Sequence, residues 1–288
     1  MTDLWTTAHG GWGDCIASYG NIRALLRDKN QNEANVIFFG MDATIVEFLK
    51  AQKNIGKVRH LRISDPSEYY DYSLMGILDF PLFTRMTGLH DLYPDLIPTH
   101  ISHFYQSENQ TLCNRDFDVV LPPSKLCWDE ILPQEPFLLL QPYSCYSCKL
   151  FEHWPFWFDA IKFVIENSNL KVVLVGELNS IYDTSFQFPW IEHPNLINLV
   201  GQTPSMIDVF HIMAKSKGLI TTSNGLSIWS IPSNKPSLVV CNKVIHSTPV
   251  MYYYNWINHK PNTVMRVESS LSDFVSEAEA FIKRIEQS

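Results

Sequence analysis

Ala8-His9-Gly10-Gly11-Trp12-Gly13-Asp14 is the stretch on which the reading of this chain turns. Glycine is scarce, 12 residues in all, and three of them fall here. Before the stretch, Leu4-Trp5-Thr6-Thr7 reads as a short strand. After it, Cys15, Tyr19, Ile22 and Leu26 recur at the helical period and form one apolar stripe. Strand, glycine turn, helix is how a chain presents backbone N–H groups and a helix N-terminus to a ligand. Asp14 stands where the N-cap of that helix is expected. Two familiar glycine loops are excluded. A phosphate-cradling loop would need Gly-Lys-Ser/Thr where Gly13-Asp14 stands, and a dinucleotide fingerprint would need glycine where Ile16 stands.

Outward from the loop the pattern repeats. Asn35–Phe39 reads as a buried strand, Ile45, Val46, Phe48 and Leu49 mark a helix, and Val58–Ile63 is the next strand. This βαβαβ order implies a parallel sheet with right-handed crossovers. From 64 to 114 aromatics, prolines and histidines follow no period, and the segment reads as helices and loops lying on top of the sheet. After a proline-rich stretch, 121–136, a second series begins. Its strands are Phe137–Leu140, Val172–Val175, Gly218–Thr222 and Ser237–Cys241, the last closing the series. One helix is opened by Pro155, with Phe158, Ile161 and Ile165 on one face, and another carries Met206, Phe210 and Met213. The expected fold class is α/β, two doubly wound Rossmann-like domains facing each other across a cleft. Boundaries fall at 1–133 and 134–270, with an amphipathic helix, 271–288, as a candidate to pack back on the N-terminal domain. The aromatic segment 251–256 reads as core.

Composition agrees with two domains: 288 residues at ~100–200 per domain, 45% of them apolar. Lys plus Arg is 22 against 30 for Asp plus Glu, a formal net charge of -8. That balance disfavours a nucleic-acid partner held by bulk charge, while leaving room for a local basic groove. No apolar run approaches the ~20 residues that span a bilayer, and Met1-Thr2-Asp3-Leu4 lacks a secretory pattern, so a cytoplasmic protein is expected. The 6 cysteines are scattered, as in a reducing compartment. Cys145-x-x-Cys148 with His153 nearby lacks the fourth ligand of a structural zinc site, and no metal is expected.

Several loops together resemble glycosyltransferase family 9, the heptosyltransferase-like enzymes of the GT-B fold. Gly11-Trp12-Gly13-Asp14-Cys15-Ile16 followed by Asn21-Ile22-Arg23-Ala24-Leu25 is similar to that family's N-terminal Gly-Asp loop and helix. The segment from Lys149 to Trp154-Pro155 resembles its Lys-then-Trp-Pro segment. Val173-Leu174-Val175-Gly176-Glu177 resembles its glycine-containing strand end, and Asn198-Leu199-Val200-Gly201-Gln202-Thr203 its Asn-Leu-x-Gly-x-Thr turn. Thr222-Ser223-Asn224-Gly225-Leu226-Ser227 takes the place of its Asp-Ser/Thr-Gly loop. In that loop Ser223 replaces the family's aspartate and Ile228 its histidine.

The resemblance implies an inverting, metal-independent glycosyltransferase with no cofactor beyond its nucleotide-sugar donor. The N-terminal domain would take the acceptor, and the C-terminal domain the donor. Asp14 matches the family's catalytic aspartate; as a plain residue it would be an N-cap, and it could serve as both. A base wants a raised pKa, whereas a helix N-terminus lowers it. Lys149 would meet the diphosphate as a compact point charge, or else be a solvated surface lysine. Gly225, with Ser223, Asn224, Leu226 and Ser227, would offer amides to that diphosphate, or simply cap a helix. Glu177 at a strand end would bond ribose hydroxyls. Ser144 and Thr203 would add polar contacts. On the acceptor side, His9, Gly11, Trp12 and Gly13 form the loop, with Trp12 stacking on a sugar ring or packing between domains. The acceptor would be a saccharide or another hydroxyl, a hydroxymethylated DNA base being the outlying case. The competing readings are a non-catalytic sugar-nucleotide binding protein of GT-B shape and, more remotely, an epimerase of related fold.

Overall fold

The computed structural model describes residues 3–40, 42–62, 79–99, 119–142, 154, 156–178, 191–222, 224–241, 263–266 and 270–288. The chain divides into two compact units, Met1–Pro122 and Pro123–Ser288.

In the first unit, β1 (Trp5–His9) leads through the glycine turn into α1 (Trp12–Asp28). β2 (Ala34–Gly40) follows, buried along its whole length, then α2 (Thr44–Ala51) and β3 (Ile55–Arg62). Two short helices, α3 (Phe80–Met86) and α4 (Leu89–Leu92), precede β4 (Ile97–Pro98). The strands lie in the order β3-β2-β1-β4, and each pairing is parallel. The expected βαβαβ start is therefore present. Successive strand residues point to opposite faces, and Ile37 and Phe39 pack on one face with Phe83 and Leu89 of α3 and α4. β4 is too short to carry a period, which is why the sequence does not reveal it. What holds it is polar: Thr6 Oγ1 donates to the Ile97 carbonyl at 2.7 Å, Thr99 Oγ1 to Thr7 at 2.5 Å, and Asn21 Nδ2 to Thr99 at 3.0 Å. Pro98 is tolerated because β4 is an edge strand.

The second unit opens with α5 (Trp128–Ile131) and β5 (Phe137–Gln141). It continues through α6 (Trp157–Asn167), β6 (Lys171–Leu174), β7 (Leu196–Asn198), α7 (Met206–Lys215) and β8 (Gly218–Thr222). It ends with α8 (Gly225–Trp229), β9 (Ser237–Cys241), β10 (Thr263–Arg266) and α9 (Leu271–Glu286). The sheet is six-stranded, ordered β10-β9-β8-β5-β6-β7, and parallel throughout. β9 therefore does not close the series, since β10 pairs beyond it. α6 begins at Trp157, after the expected proline start. Trp157 rather than Phe158 joins Ile161 and Ile165 in the core, and Phe158 is 38% exposed.

Two organisational expectations are corrected. The boundary lies at Pro122/Pro123, not at 133, because the stretch before β5 is fastened to α7. Asp208, fully buried in the first turn of α7, accepts hydrogen bonds from Ser124 Oγ (2.5 Å), Trp128 Nε1 (3.2 Å), the Lys125 amide (3.3 Å) and Ser205 Oγ (2.6 Å). The C-terminal helix, expected as a candidate to pack on the N-terminal domain, belongs to the second unit. Phe274, Phe281, Ile282 and Ile285 of α9 lie in the same core as Trp154, Trp157 and Ile161. The Phe274 ring is 5.4 Å from that of Trp154 and 6.3 Å from that of Trp157. Gly218 permits this closeness, since a Cβ there would stand 3.1 Å from the Phe281 ring.

Segment 251–256 and the Cys145/Cys148/His153 group lie outside the described residues. Among the described residues no helix is long and apolar enough to cross a membrane.

Candidate functional site

In parallel α/β sheets ligands gather beyond the carboxyl ends of the strands. At that edge of the first unit, β1 runs into Gly10, whose φ of +103° favours glycine. A Cβ on Gly10 would collide with the Asp14 carboxylate, so glycine is what lets the carboxylate fold back over the turn. Asp14 Oδ2 accepts the Gly11 N–H at 3.1 Å. Gly11 is the N-cap and Asp14 the third helical residue, which corrects the expected cap. Asp14 is half-buried, and Gly11 is exposed.

The other loop residues point elsewhere. His9 is the last residue of β1 and 1% exposed, its ring stacked 6.4 Å from that of Phe83. Gly13 is buried in the first turn of α1. Trp12 is 7% exposed, packs edge-on against Phe48 at 5.6 Å, and donates its indole N–H to Asp42 Oδ2 at 2.7 Å. It is a strut inside the first unit, not a platform for a sugar.

Asp42 is the residue that the sequence reading missed. Its other oxygen accepts the Thr44 amide at 2.8 Å and the Thr44 hydroxyl at 2.6 Å. Asp42 thereby ties the glycine turn to the start of α2. The signal was available: an acid just beyond a buried strand in a parallel sheet lies at the ligand-binding edge. Cys15 beside the turn is fully buried, and its thiol is pushed well above its ordinary pKa by that burial, with the Asp14 and Asp42 charges adding to the effect. It is held as a neutral thiol and is no nucleophile.

At the corresponding edge of the second unit, α8 starts just beyond β8. Asn224 Oδ1 accepts the amides of Leu226 (2.8 Å) and Ser227 (3.1 Å), while Ser227 Oγ accepts the Asn224 amide at 3.0 Å. This corrects one expectation, because the amides read as a diphosphate cradle are occupied by the helix's own cap. Asn224 Nδ2 donates to Gln141 Oε1 at 2.9 Å and Thr221 Oγ1 at 3.0 Å, joining the ends of β5 and β8. Ile228 is 1% exposed and belongs to the core. One strand over, the Gly201 amide donates to the Gly176 carbonyl at 2.8 Å. That bond brings exposed Glu177 and the turn carrying half-buried Thr203 into adjacent loops. Ser144, Lys149 and Ser223 lie outside the described residues. A cavity of about 320 Å³ opens at the amino-terminal end of the same sheet, lined by Asp129, Phe137, Lys215 and Lys217 among others, away from these side chains. Among the described residues no three acidic, His or Cys side chains are grouped to hold a metal ion.

No family model matches the sequence, and no curated protein does. Solved structures do match. The E. coli ADP-heptose lipopolysaccharide heptosyltransferase II superposes over 99% of this chain and 100% of its own, with a TM-score of 0.62 at 16% identity. A family 9 glycosyltransferase from Veillonella parvula DSM 2008 covers 98% and 97%, with a TM-score of 0.56 at 11% identity. E. coli heptosyltransferase WaaC with ADP covers 99% and 98%, with a TM-score of 0.53 at 11% identity. The fold is GT-B.

At these identities the likeness is one of architecture, and it spans 97–100% of these neighbours' length. Each parallel sheet described above is one GT-B domain. The glycine turn with Asp14 belongs to the N-terminal one, and the Gln141–Thr221–Asn224 network to the C-terminal one.

Proposed function

We propose that this chain is an inverting glycosyltransferase that moves a sugar from a nucleoside-diphosphate donor to a hydroxyl acceptor. One observation carries the reading. On a GT-B fold, a half-buried carboxylate is held over a glycine turn at the carboxyl end of the first parallel strand. Asp14 takes the proton from the acceptor hydroxyl as its oxygen attacks the anomeric carbon. The bond from that carbon to the diphosphate breaks on the opposite face, so a single displacement inverts the centre. The acceptor is a saccharide, or in the outlying case a hydroxymethylated DNA base.

The donor lies along the strand ends of the second unit. Lys149 neutralises the leaving diphosphate, Glu177 bonds ribose hydroxyls, and Ser144, Thr203, Ser223 and the Gly225 amide supply polar contacts. Leu226 and Ser227 act through the shape of the loop, since Asn224 holds their amides. WaaC binds ADP in its structure, which supports a nucleoside diphosphate as the ligand class. In this scheme the diphosphate charge is met by protein groups, and transfer proceeds without a divalent ion or cofactor. The setting is a reducing compartment, the cytoplasm, where a thiol such as exposed Cys127 stays free.

The test is a thermal-shift screen of nucleoside diphosphates and their sugars, with and without EDTA. A native-state ligand at a hundredfold excess over its Kd adds about 2.7 kcal/mol of stability. Asp14→Asn is expected to lower turnover by at least ~10²-fold, a general-base contribution, while leaving the donor shift intact.

A second reading, a sugar-nucleotide binding protein without catalysis, is favoured by Ile228, which is sealed in the core where the family resemblance places a histidine. A donor shift with no transfer to any acceptor, unchanged by Asp14→Asn, would establish that reading instead.

A further inference from the structure

Sheet order in the second unit reverses at β5: β6 and β7 lie on one side of it, and β8, β9 and β10 on the other. Such a reversal opens a crevice at the carboxyl end of the strand where it occurs. Gln141, the last residue of β5, stands there, 6% exposed.

The hydrogen-bond polarity of its carboxamide is determined by its surroundings. Backbone amides can only donate, so the Asn224 atom meeting the Leu226 and Ser227 amides is its oxygen. Its nitrogen must then be the atom facing β5 and β8, where it donates to Gln141 Oε1 and Thr221 Oγ1. The Thr221 hydroxyl, having accepted, turns its proton toward Gln141 Oε1 at 3.4 Å. Gln141 Oε1 is thus a double acceptor, and its Nε2 is turned away from Asn224. Nε2 carries two N–H donors, and neither is bonded to a described residue. The capping of a short helix has, through one relay, oriented a neutral donor at the sheet's crevice.

We propose that Gln141 is a specificity-determining contact of the donor site, with its Nε2 hydrogen-bonding the oxygens of the donor diphosphate. Asn224 is the positioning residue that keeps the amide from flipping. The inference rests on the nucleotide-sugar reading above and names a contact that reading does not contain. Phosphate oxygens are pure acceptors, and a charged acceptor strengthens an N–H bond about twofold over a neutral one. Sugar hydroxyls, which also donate, would be matched as well by a carboxylate.

Gln141→Glu tests it. A carboxylate still accepts from Asn224 and Thr221, so the internal network survives, but it offers the diphosphate only an acceptor and a like charge. Affinities for ADP, UDP, GDP and CDP, and for the parent nucleosides, would be measured by calorimetry on the full chain. Gln141→Glu is expected to raise the Kd of the nucleoside diphosphate that wild type binds by tenfold or more. Its effect on the matching nucleoside should stay under threefold. Equal diphosphate affinity in wild type and variant would overturn the assignment, as would an equal loss for nucleoside and diphosphate. If wild type binds none of the four, the donor reading itself falls and takes this contact with it.

Should Gln141→Glu fail to fold, Asn224→Asp probes the relay from the other side. It keeps the capping oxygen but removes the N–H that pins Gln141. Weaker diphosphate binding with unchanged nucleoside binding is expected, and no change in either would count against the relay.

Discussion

Asp42 draws two parts of the first unit to a single carboxylate, accepting from the Trp12 indole and from Thr44. Replacing it by alanine leaves the buried indole N–H without its acceptor, and an unsatisfied buried donor costs about 1–3 kcal/mol. The urea midpoint of Asp42→Ala is therefore expected to fall at unchanged slope, while Asp42→Asn, which keeps an oxygen, should lose less. Because Trp12 adjoins the turn that carries Asp14, turnover should fall in Asp42→Ala while donor affinity stays at the wild-type value. Steady-state kinetics beside donor calorimetry separates the two. Of the residues at this turn, Asp14 was legible in the sequence because a glycine turn before an amphipathic stripe is a local pattern. Asp42 was not, since its partner Trp12 lies 30 residues away.

Individual elements are held by buried polar contacts as well as apolar faces, and Asp208 in α7 is the clearest case. Burial by itself would raise its pKa, but hydrogen bonds from Ser124, Ser205, Trp128 and the Lys125 amide outweigh burial and hold it below the ordinary carboxylate value. A carboxylate whose folded pKa is depressed stabilises the fold above its unfolded pKa, about 3.9, and loses that contribution as pH falls through the folded value. Asp208→Asn puts a donor where donors already converge, so it should be less stable than wild type at neutral pH. The gap in unfolding free energy should hold from about pH 7 to about pH 5 and narrow below about pH 4. Denaturant titrations across that range would show it, and a gap independent of pH would mean another group is responsible. Like β4, the strands β7 and β10 were not exposed by local pattern. β7 is only 3 residues long, and the strand character of Thr263–Arg266 rests on its pairing with β9.

For the molecule as a whole, the division at Pro122/Pro123 has a consequence that a boundary at 133 would not. Residues 123–133 carry the Ser124, Lys125 and Trp128 donors to Asp208, and Asp129 of the same stretch pairs with Lys215 at 2.5 Å. The stretch is part of the second unit's structure rather than a tether. A fragment spanning 123–288 is expected to melt several degrees above one spanning 134–288, because the shorter one leaves a buried carboxylate stripped of three donors. Equal melting temperatures by calorimetry would mean that the stretch adds nothing to the unit.

By itself the sequence determined the class of fold. Alternating apolar runs and helical stripes, punctuated by scarce glycines, dictate two parallel sheets, because each strand and helix is selected by neighbours a few residues away. The glycine turn ahead of the first helix followed for the same reason, although the cap position fell to Gly11 and not to Asp14. Tertiary structure alone decided which polar groups pair with one another. Trp12 and His9 turned inward, and Asn224 took up the amides of its own helix and donated to the side chain of Gln141. Those outcomes depend on pairings between residues as much as 83 positions apart, as for Asn224 and Gln141. A buried donor or acceptor takes whichever partner folding brings to it, and no local pattern encodes that choice.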